Sequence, residues 1–198
     1  MKRLAFASGN QHKVAEIAAM LRPRGWEVVP LALTVDEDAP TFAGNAEKKA
    51  RAALAASGLP SLADDSGLEV DALDGAPGVL SARYAGEPCD DGANNSKLLG
   101  ALAGVPAARR TARFRCALVF VDGDGTRLSA DGSCEGHIGE APRGAGGFGY
   151  DPLFLIDGDA RGRTMAELLP DEKNHISHRA RALEKMVRLL EERYGTAS

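Results

Sequence analysis

The chain opens on a short apolar run over 4–7 that is closed by Ser8-Gly9-Asn10. A run of this length bounded by turn formers predicts a buried strand. Val14, Ile17, Met20 and Leu21 then recur at helical spacing, and Pro23 and Gly25 stop that helix. Residues 26–31 predict a second strand, so the chain begins strand, glycine-bearing turn, helix, strand, the mark of an α/β fold. An Ala- and Lys-rich segment over 45–56 predicts another helix, ended by Gly58 and Pro60. Residues 61–63 predict a short strand that runs into Asp64-Asp65-Ser66-Gly67. A turn-rich stretch over 71–92 precedes a helix over 94–102, with Leu98, Leu99 and Leu102 on one side. Residues 112–121 alternate (Phe114, Cys116, Leu118, Phe120), and Asp122-Gly123-Asp124-Gly125 predicts a hairpin back through 127–136. The sheet is therefore expected to be mixed. The last helix is expected over 177–194, with Leu183, Met186, Val187 and Leu190 facing inward. No repeat, low-complexity tract or linker interrupts the pattern, so residues 1–198 are expected to form one domain.

Composition sharpens this picture. At 44% hydrophobic and 26% charged residues the chain has ample apolar content for a folded core. Its 24 Lys and Arg against 28 Asp and Glu leave a net charge of −4, which argues against a general grip on nucleic acid phosphates. Cys89, Cys116 and Cys134 are odd in number and widely spaced, giving neither a disulfide framework nor a zinc pattern. The first apolar run is too short for a signal peptide, and no stretch approaches the length of a membrane span. A cytoplasmic protein with no membrane partner is the expectation.

Glycine, at 23 of 198 residues, exceeds the usual ~7%, and much of the excess falls where chemistry is expected. Four segments stand out, with a fifth, acidic run beside them. In Ser8-Gly9-Asn10-Gln11-His12-Lys13 a tight bend precedes a helix N-terminus, whose free N–H groups and dipole suit phosphate oxygens; the same residues also make an ordinary cap with a solvated lysine. In Asp64-Asp65-Ser66-Gly67 two adjacent carboxylates point in different directions, so one can bind a hard cation or activate water; an Asx-turn is the structural alternative. Asp36-Glu37-Asp38 is either a further source of oxygen ligands or a solvated loop. In the glycine-rich stretch over 143–152, Phe148 is displayed between glycines where it can stack on a flat base, and Asp151 can accept from ring N–H groups; the alternative is a turn with its aromatic in the core. Lys173, His178 and Arg179 place cationic donors around a helix start, where the dipole disfavours them unless a ligand meets them. His175 and His178 are three apart, but no third nitrogen or sulfur ligand accompanies them, and no G-x-S-x-G elbow is present.

Taken in order, these segments resemble the inosine triphosphate pyrophosphatase family, the Ham1-like enzymes. The strings that carry the resemblance are Ser8-Gly9-Asn10, Lys13 and Glu16, Asn45-Ala46, Lys49-Ala50, Ala63-Asp64-Asp65-Ser66-Gly67-Leu68, Gly75-Ala76-Pro77-Gly78, Ser81-Ala82-Arg83-Tyr84, Gly147-Phe148-Gly149-Tyr150-Asp151-Pro152 and Ser177-His178-Arg179. They run from the first strand to the last helix.

The resemblance implies an α/β fold with an elongated mixed β-sheet flanked by helices, and two lobes with a central nucleotide cleft. It implies a homodimer that hydrolyses ITP, dITP and XTP to the monophosphate and pyrophosphate with Mg2+, cleansing the nucleotide pool of deaminated purines. Ser8, Gly9, Asn10, Gln11, His12 and Lys13 would hold the triphosphate. Asp65 would be the general base, a metal ligand or both, and Glu37, twelve residues before Lys49, matches the family's metal-binding glutamate. Ser66 would touch the nucleotide, and Phe148, Gly149, Tyr150 and Asp151 would frame the base. Lys173 would contact phosphate or sugar, while His178 and Arg179 would donate to the base. Such donors pair with the C6 oxygen of hypoxanthine or xanthine and reject the amino group of adenine. The family's Glu-Asn-Ala string appears here as Gly44-Asn45-Ala46, which bears on metal stoichiometry. A phosphatase releasing orthophosphate and a nucleotide sensor without turnover are the competing classes.

Overall fold

The computed structural model describes residues 1–195, without the side chains of Pro170 and Asn174. Six strands, β1 (Lys2–Phe6), β2 (Trp26–Pro30), β3 (Ser61–Val70), β4 (Thr111–Val121), β5 (Arg127–Ile138) and β6 (Phe154–Ile156), form one sheet in the order β2-β1-β3-β4-β5-β6. β1 pairs parallel with β2 and with β3, whereas β5 and β6 are antiparallel, so the sheet is mixed as the hairpin signal predicts. Among the described residues five α-helices accompany it: α1 (Gln11–Leu21), α2 (Phe42–Ser57), α3 (Asp91–Ala101), α4 (Pro170–Ile176) and α5 (His178–Tyr194).

The residues cluster into two compact units. The first comprises Met1–Asp65, Cys116–Gly132 and Arg179–Ser198; the second comprises Ser66–Arg115 and Ser133–His178. In the first unit the two faces of the sheet bury different things. Leu4, Phe6, Leu62, Cys116, Leu118 and Phe120 face Ile17 and Leu21 of α1 and Leu183, Met186 and Leu190 of α5. Ala5, Ala7, Ala63, Val119 and Val121 face Ala46, Ala50 and Ala53 of α2. The alternation along β1, β3 and β4 follows from the two-residue period of a strand. Thr41 caps α2 by accepting from Gly44 N, and Gly58 closes it in the left-handed region at φ 68°.

The second unit has its own core. Leu68, Val70, Leu98, Leu102, Phe114, Ile138, Tyr150, Phe154 and Met165 are among its buried residues. α3 begins at the Asp90 cap, whose side chain accepts from Ala93 N.

The largest departure from the sequence expectation is β3. Asp64-Asp65-Ser66-Gly67 looks like the end of a strand, yet the strand continues through it to Val70. Turn propensity loses here because flanking strands β1 and β4 both pair with β3, and because the aspartates find cationic partners inside. β6 and α4 lie in segments for which the sequence reading assigns neither strand nor helix.

Candidate active site

Because β3 is extended at Asp64 and Asp65, their side chains must leave opposite faces of the sheet. Asp64 follows Leu62 onto the face of α1 and α5. It is 1% exposed, and its Oδ2 receives Lys13 Nζ at 2.9 Å and Arg179 Nε at 3.2 Å. Arg179 Nη1 in turn meets Glu16 Oε2 at 2.8 Å. Burial pushes the Asp64 carboxyl up, but Lys13, Arg179 and Lys49 outweigh it and hold it well below the usual carboxylate range.

Asp65 follows Ala63 onto the face of α2. Its Oδ2 accepts from Asn45 Nδ2 at 3.0 Å, and its Oδ1 lies 3.5 Å from Lys49 Nζ. Asn45 and Lys49 are one helical turn apart on α2, so they present one surface. Lys49 Nζ also binds Glu37 Oε1 at 2.7 Å. Burial raises the pKa of Asp65; Lys49 and Asn45 pull the other way, while Glu37 and Asp64 add to the rise. Lys49 itself is lowered by burial and raised more strongly by Asp65, Asp64 and Glu37, so it stays cationic.

The segment that carries Glu37 is seated by a small residue. A Cβ at Gly44 would lie 2.8 Å from Ala39 Cβ, so glycine lets residues 37–39 lie against α2. There Ala39 N donates to Asn45 Oδ1 at 2.9 Å, and Asp38 accepts from Lys48.

The turn before α1 differs from the open anion cradle that the sequence allows. Asn10 caps the helix itself, its Oδ1 accepting from His12 N at 3.0 Å and Lys13 N at 3.2 Å, while Ser8 Oγ accepts from Asn10 N at 3.1 Å. Gly9, Asn10, Gln11 and His12 are exposed, and Ser8 and Lys13 are half-buried. Lys13 is the member of this turn that points inward, to Asp64.

In the second unit the glycine-rich loop is tied to Asp151, which is 3% exposed. Asp151 Oδ2 accepts from Phe148 N at 2.9 Å and from Lys173 Nζ at 2.5 Å. Gly147, at φ 75°, is the one residue type that fits: a Cβ there would stand 2.0 Å from Asp151 Oδ2. Phe148 is 38% exposed, and Lys173 Nζ lies 4.7 Å from its ring centroid. Tyr150 is buried and donates from its hydroxyl to Ser81 O at 2.8 Å. His178 is buried as well, stacked on Phe114 at 5.0 Å and 19°. Ser66 sits half-buried in β3, one residue beyond Asp65.

The structure thus gathers Lys13, Asp64, Arg179 and Glu16 into one cluster, Glu37, Lys49, Asn45 and Asp65 into a second, and Phe148, Asp151 and Lys173 into a third. Arg179 is 2% exposed and has Asp64 and Glu16 among its partners. The sequence reading gave no role to Lys49, Asn45 or Glu16, and its residue-level reasoning left open which of Asp64 and Asp65 meets a cation. For Asn45 and Lys49 a signal was present: an amide and a cation one turn apart on an otherwise Ala-rich helix.

The second cluster suits a hard cation. Glu37 and Asp65 both contact one ammonium nitrogen, so their oxygens converge, and carboxylate oxygen is what Mg2+ prefers. Among the described residues no group of three or more His, Cys, Asp or Glu side chains could hold a metal. A cation here would therefore complete its shell from phosphate and water oxygens, as Mg2+ commonly does.

Comparison with known proteins places the chain in a family. Over 197 residues the chain is 52% identical to the dITP/XTP pyrophosphatase of Desulforamulus reducens, spanning 97% of each chain. It is 53% identical over 201 residues to the dITP/XTP pyrophosphatase of Geobacillus kaustophilus, covering 98% of this chain and 97% of that one. Among solved structures, a HAM1 protein from Coxiella burnetii superposes with a TM-score of 0.89 at 42% identity, over 97% of this chain and 100% of the other. The Staphylococcus aureus Ham1 protein does so with a TM-score of 0.87 at 36% identity and the same coverage. The profile of the Ham1 family matches residues 4–189, and the chain belongs to that family.

Proposed function

We propose that this chain hydrolyses the deaminated purine nucleoside triphosphates ITP, dITP and XTP to the monophosphate and pyrophosphate, with Mg2+, as a cytoplasmic homodimer. The observation that carries the reading is near full-length identity of about one half to relatives named dITP/XTP pyrophosphatases. The geometry supports it at the level of single groups.

Asp65 is the general base. A carboxylate lifted by burial and by neighbouring carboxylates accepts a proton more readily than a free one, and Asn45 and Lys49 hold it in one orientation. It takes a proton from water as the oxygen attacks the α-phosphorus. The bond from that phosphorus to the bridging oxygen breaks, and pyrophosphate leaves with the electron pair. Glu37 and Asp65 would hold Mg2+, which when bound neutralises charge on the phosphate oxygens. Lys13 and Lys49 add cationic charge for the triphosphate, and Ser8 to His12 present a capped, exposed turn to it.

The purine would lie on Phe148, with Ser66 against the nucleotide and with Gly149, Tyr150, Asp151, Lys173 and His178 around the base. Lys173 already rests over the Phe148 ring, so an incoming base meets a cationic donor that matches a C6 oxygen and not an amino group. Arg179 is better assigned to neutralising Asp64 than to reading the base.

The test is turnover of ITP, XTP, dITP, GTP and ATP with separate detection of pyrophosphate and orthophosphate. Pyrophosphate from ITP, XTP and dITP, with little from ATP and GTP, is the expected result. Orthophosphate as first product would make the chain a phosphatase, and ITP binding without turnover in Mg2+ would make it a sensor.

A further inference from the structure

Gly149, the residue after Phe148, is held by both of its peptide groups from one turn of α3. Its N–H donates to Asp91 Oδ2 at 2.6 Å, and its carbonyl accepts from Asn95 Nδ2 at 2.9 Å. Asp91 and Asn95 stand four apart on the helix and so present one surface. Their neighbours face elsewhere. Asp90 caps the helix at Ala93 N, and Asn94 binds Ala82 O and Ala85 N.

Asn95 Oδ1 is buried with no hydrogen-bond partner among the described residues. A buried amide oxygen left unpaired costs stability. Turning the amide over would set that oxygen against Gly149 O, so the donation to Gly149 fixes the orientation and leaves the oxygen unpaired. The side chain is thus retained for what it holds.

What it holds needs holding. Residues 144, 146, 147 and 149 are all glycine, the residue type with the most conformational freedom to lose. Few side chains remain in this loop to pack it, and polar ties must set its shape. We propose that Asp91 and Asn95 are positioning residues that pre-set the Phe148–Asp151 loop to receive the purine. This rests on the base-binding reading of that loop given above. Loosening the clamp transfers the ordering of the loop to the moment of binding, which weakens substrate binding and leaves the chemical step alone.

The experiment compares wild type with Asp91→Ala, Asn95→Ala, Asp91→Asn and Asp90→Ala, following pyrophosphate from dITP and amide hydrogen exchange at Gly149. Asp91→Ala and Asn95→Ala are expected to raise KM about 5–10-fold with kcat within about twofold, and to speed Gly149 exchange. Asp91→Asn keeps an acceptor and should restore most of the loss. Asp90→Ala weakens the helix start and should lower Tm without moving KM. Unchanged KM in Asp91→Ala and Asn95→Ala, or a fall in kcat at constant KM, would overturn the proposal. If wild type releases no pyrophosphate from dITP, the base-binding reading fails instead, and unchanged Gly149 exchange in Asp91→Ala would then refute the clamp separately.

Discussion

Asp64 and Asp65 are neighbours in sequence and opposites in environment. Asp64 faces α1 and α5, where Lys13 and Arg179 both reach its Oδ2. Asp65 faces α2, where one lysine is shared with Glu37 and an amide donates as well. The first carboxylate is held below its ordinary pKa and the second above it. Two identical side chains one residue apart thereby acquire different work: one neutralises buried positive charge, the other is able to take a proton. Groups whose environments push their pKa values apart are where acid and base roles are found.

The comparison predicts that the two aspartates fail differently. Asp65→Asn keeps the shape and the hydrogen bonding of the site but removes the proton acceptor. Turnover of dITP should fall by roughly 10²–10⁴-fold. Stability should hold or rise at pH 7, since a carboxyl whose folded pKa is raised binds more protons in the native state and destabilises it once ionised. Retained turnover would remove Asp65 from the chemistry.

Asp64→Asn should do the reverse and damage the fold first. It leaves Lys13 and the fully buried Arg179 without their anion, and breaking a buried pair on one side costs about 3–5 kcal/mol. For a chain of this size Tm should drop by on the order of 10 °C. The pH dependence follows from the depressed pKa. Asp64 contributes stability above its unfolded pKa, and that contribution is lost as pH falls through the folded value. The gap in stability between wild type and Asp64→Asn should therefore be constant above about pH 5 and close only in stronger acid. A variant as stable as wild type at neutral pH would show that Lys13 and Arg179 do not depend on Asp64.

This division could be read only in part from the sequence. The apolar run of β1, the alternation of β4, the helical spacing from Val14 to Leu21 and the stops at Pro23, Gly25 and Gly58 gave strands and helices of the first unit, because local signals and packing agree there. The segments 8–13, 64–67 and 143–152 could be singled out because each holds unusual residues close together in the chain. What stayed hidden was pairing at long range. Arg179 and Asp64 are 115 residues apart, and nothing local distinguishes a guanidinium that meets a base from one that meets a buried aspartate. Lys49 was hidden for a related reason, since a lysine on an Ala-rich helix looks like a solvated one until β3 places Asp65 beneath it. The extension of β3 was missed because Asp-Asp-Ser-Gly carries the residues of a turn, and tertiary pairing overrode them.

The smallest effect tests Lys49, the largest influence that holds down the raised pKa of Asp65. Lys49→Met removes the cation shared by Glu37 and Asp65 and leaves two carboxylates facing each other across an apolar side chain. Asp65 is already raised by burial, and Lys49 is the largest influence opposing that rise. Without it the pKa of Asp65 should climb further. A base works only when deprotonated, so kcat should fall as pH drops through that value, and the acid limb of the profile should lie above the ~3.9 of a free aspartate even in wild type. In Lys49→Met the limb should move to higher pH. The stability of the Asp64 cluster in acid should shift little, because Lys13 and Arg179 are the larger influences there. A limb that stays in place while KM alone rises would mean that Lys49 serves the phosphates and does not tune the base. The contrast between the two aspartates would then rest on burial, which raises Asp65, and on Lys13 and Arg179, which lower Asp64.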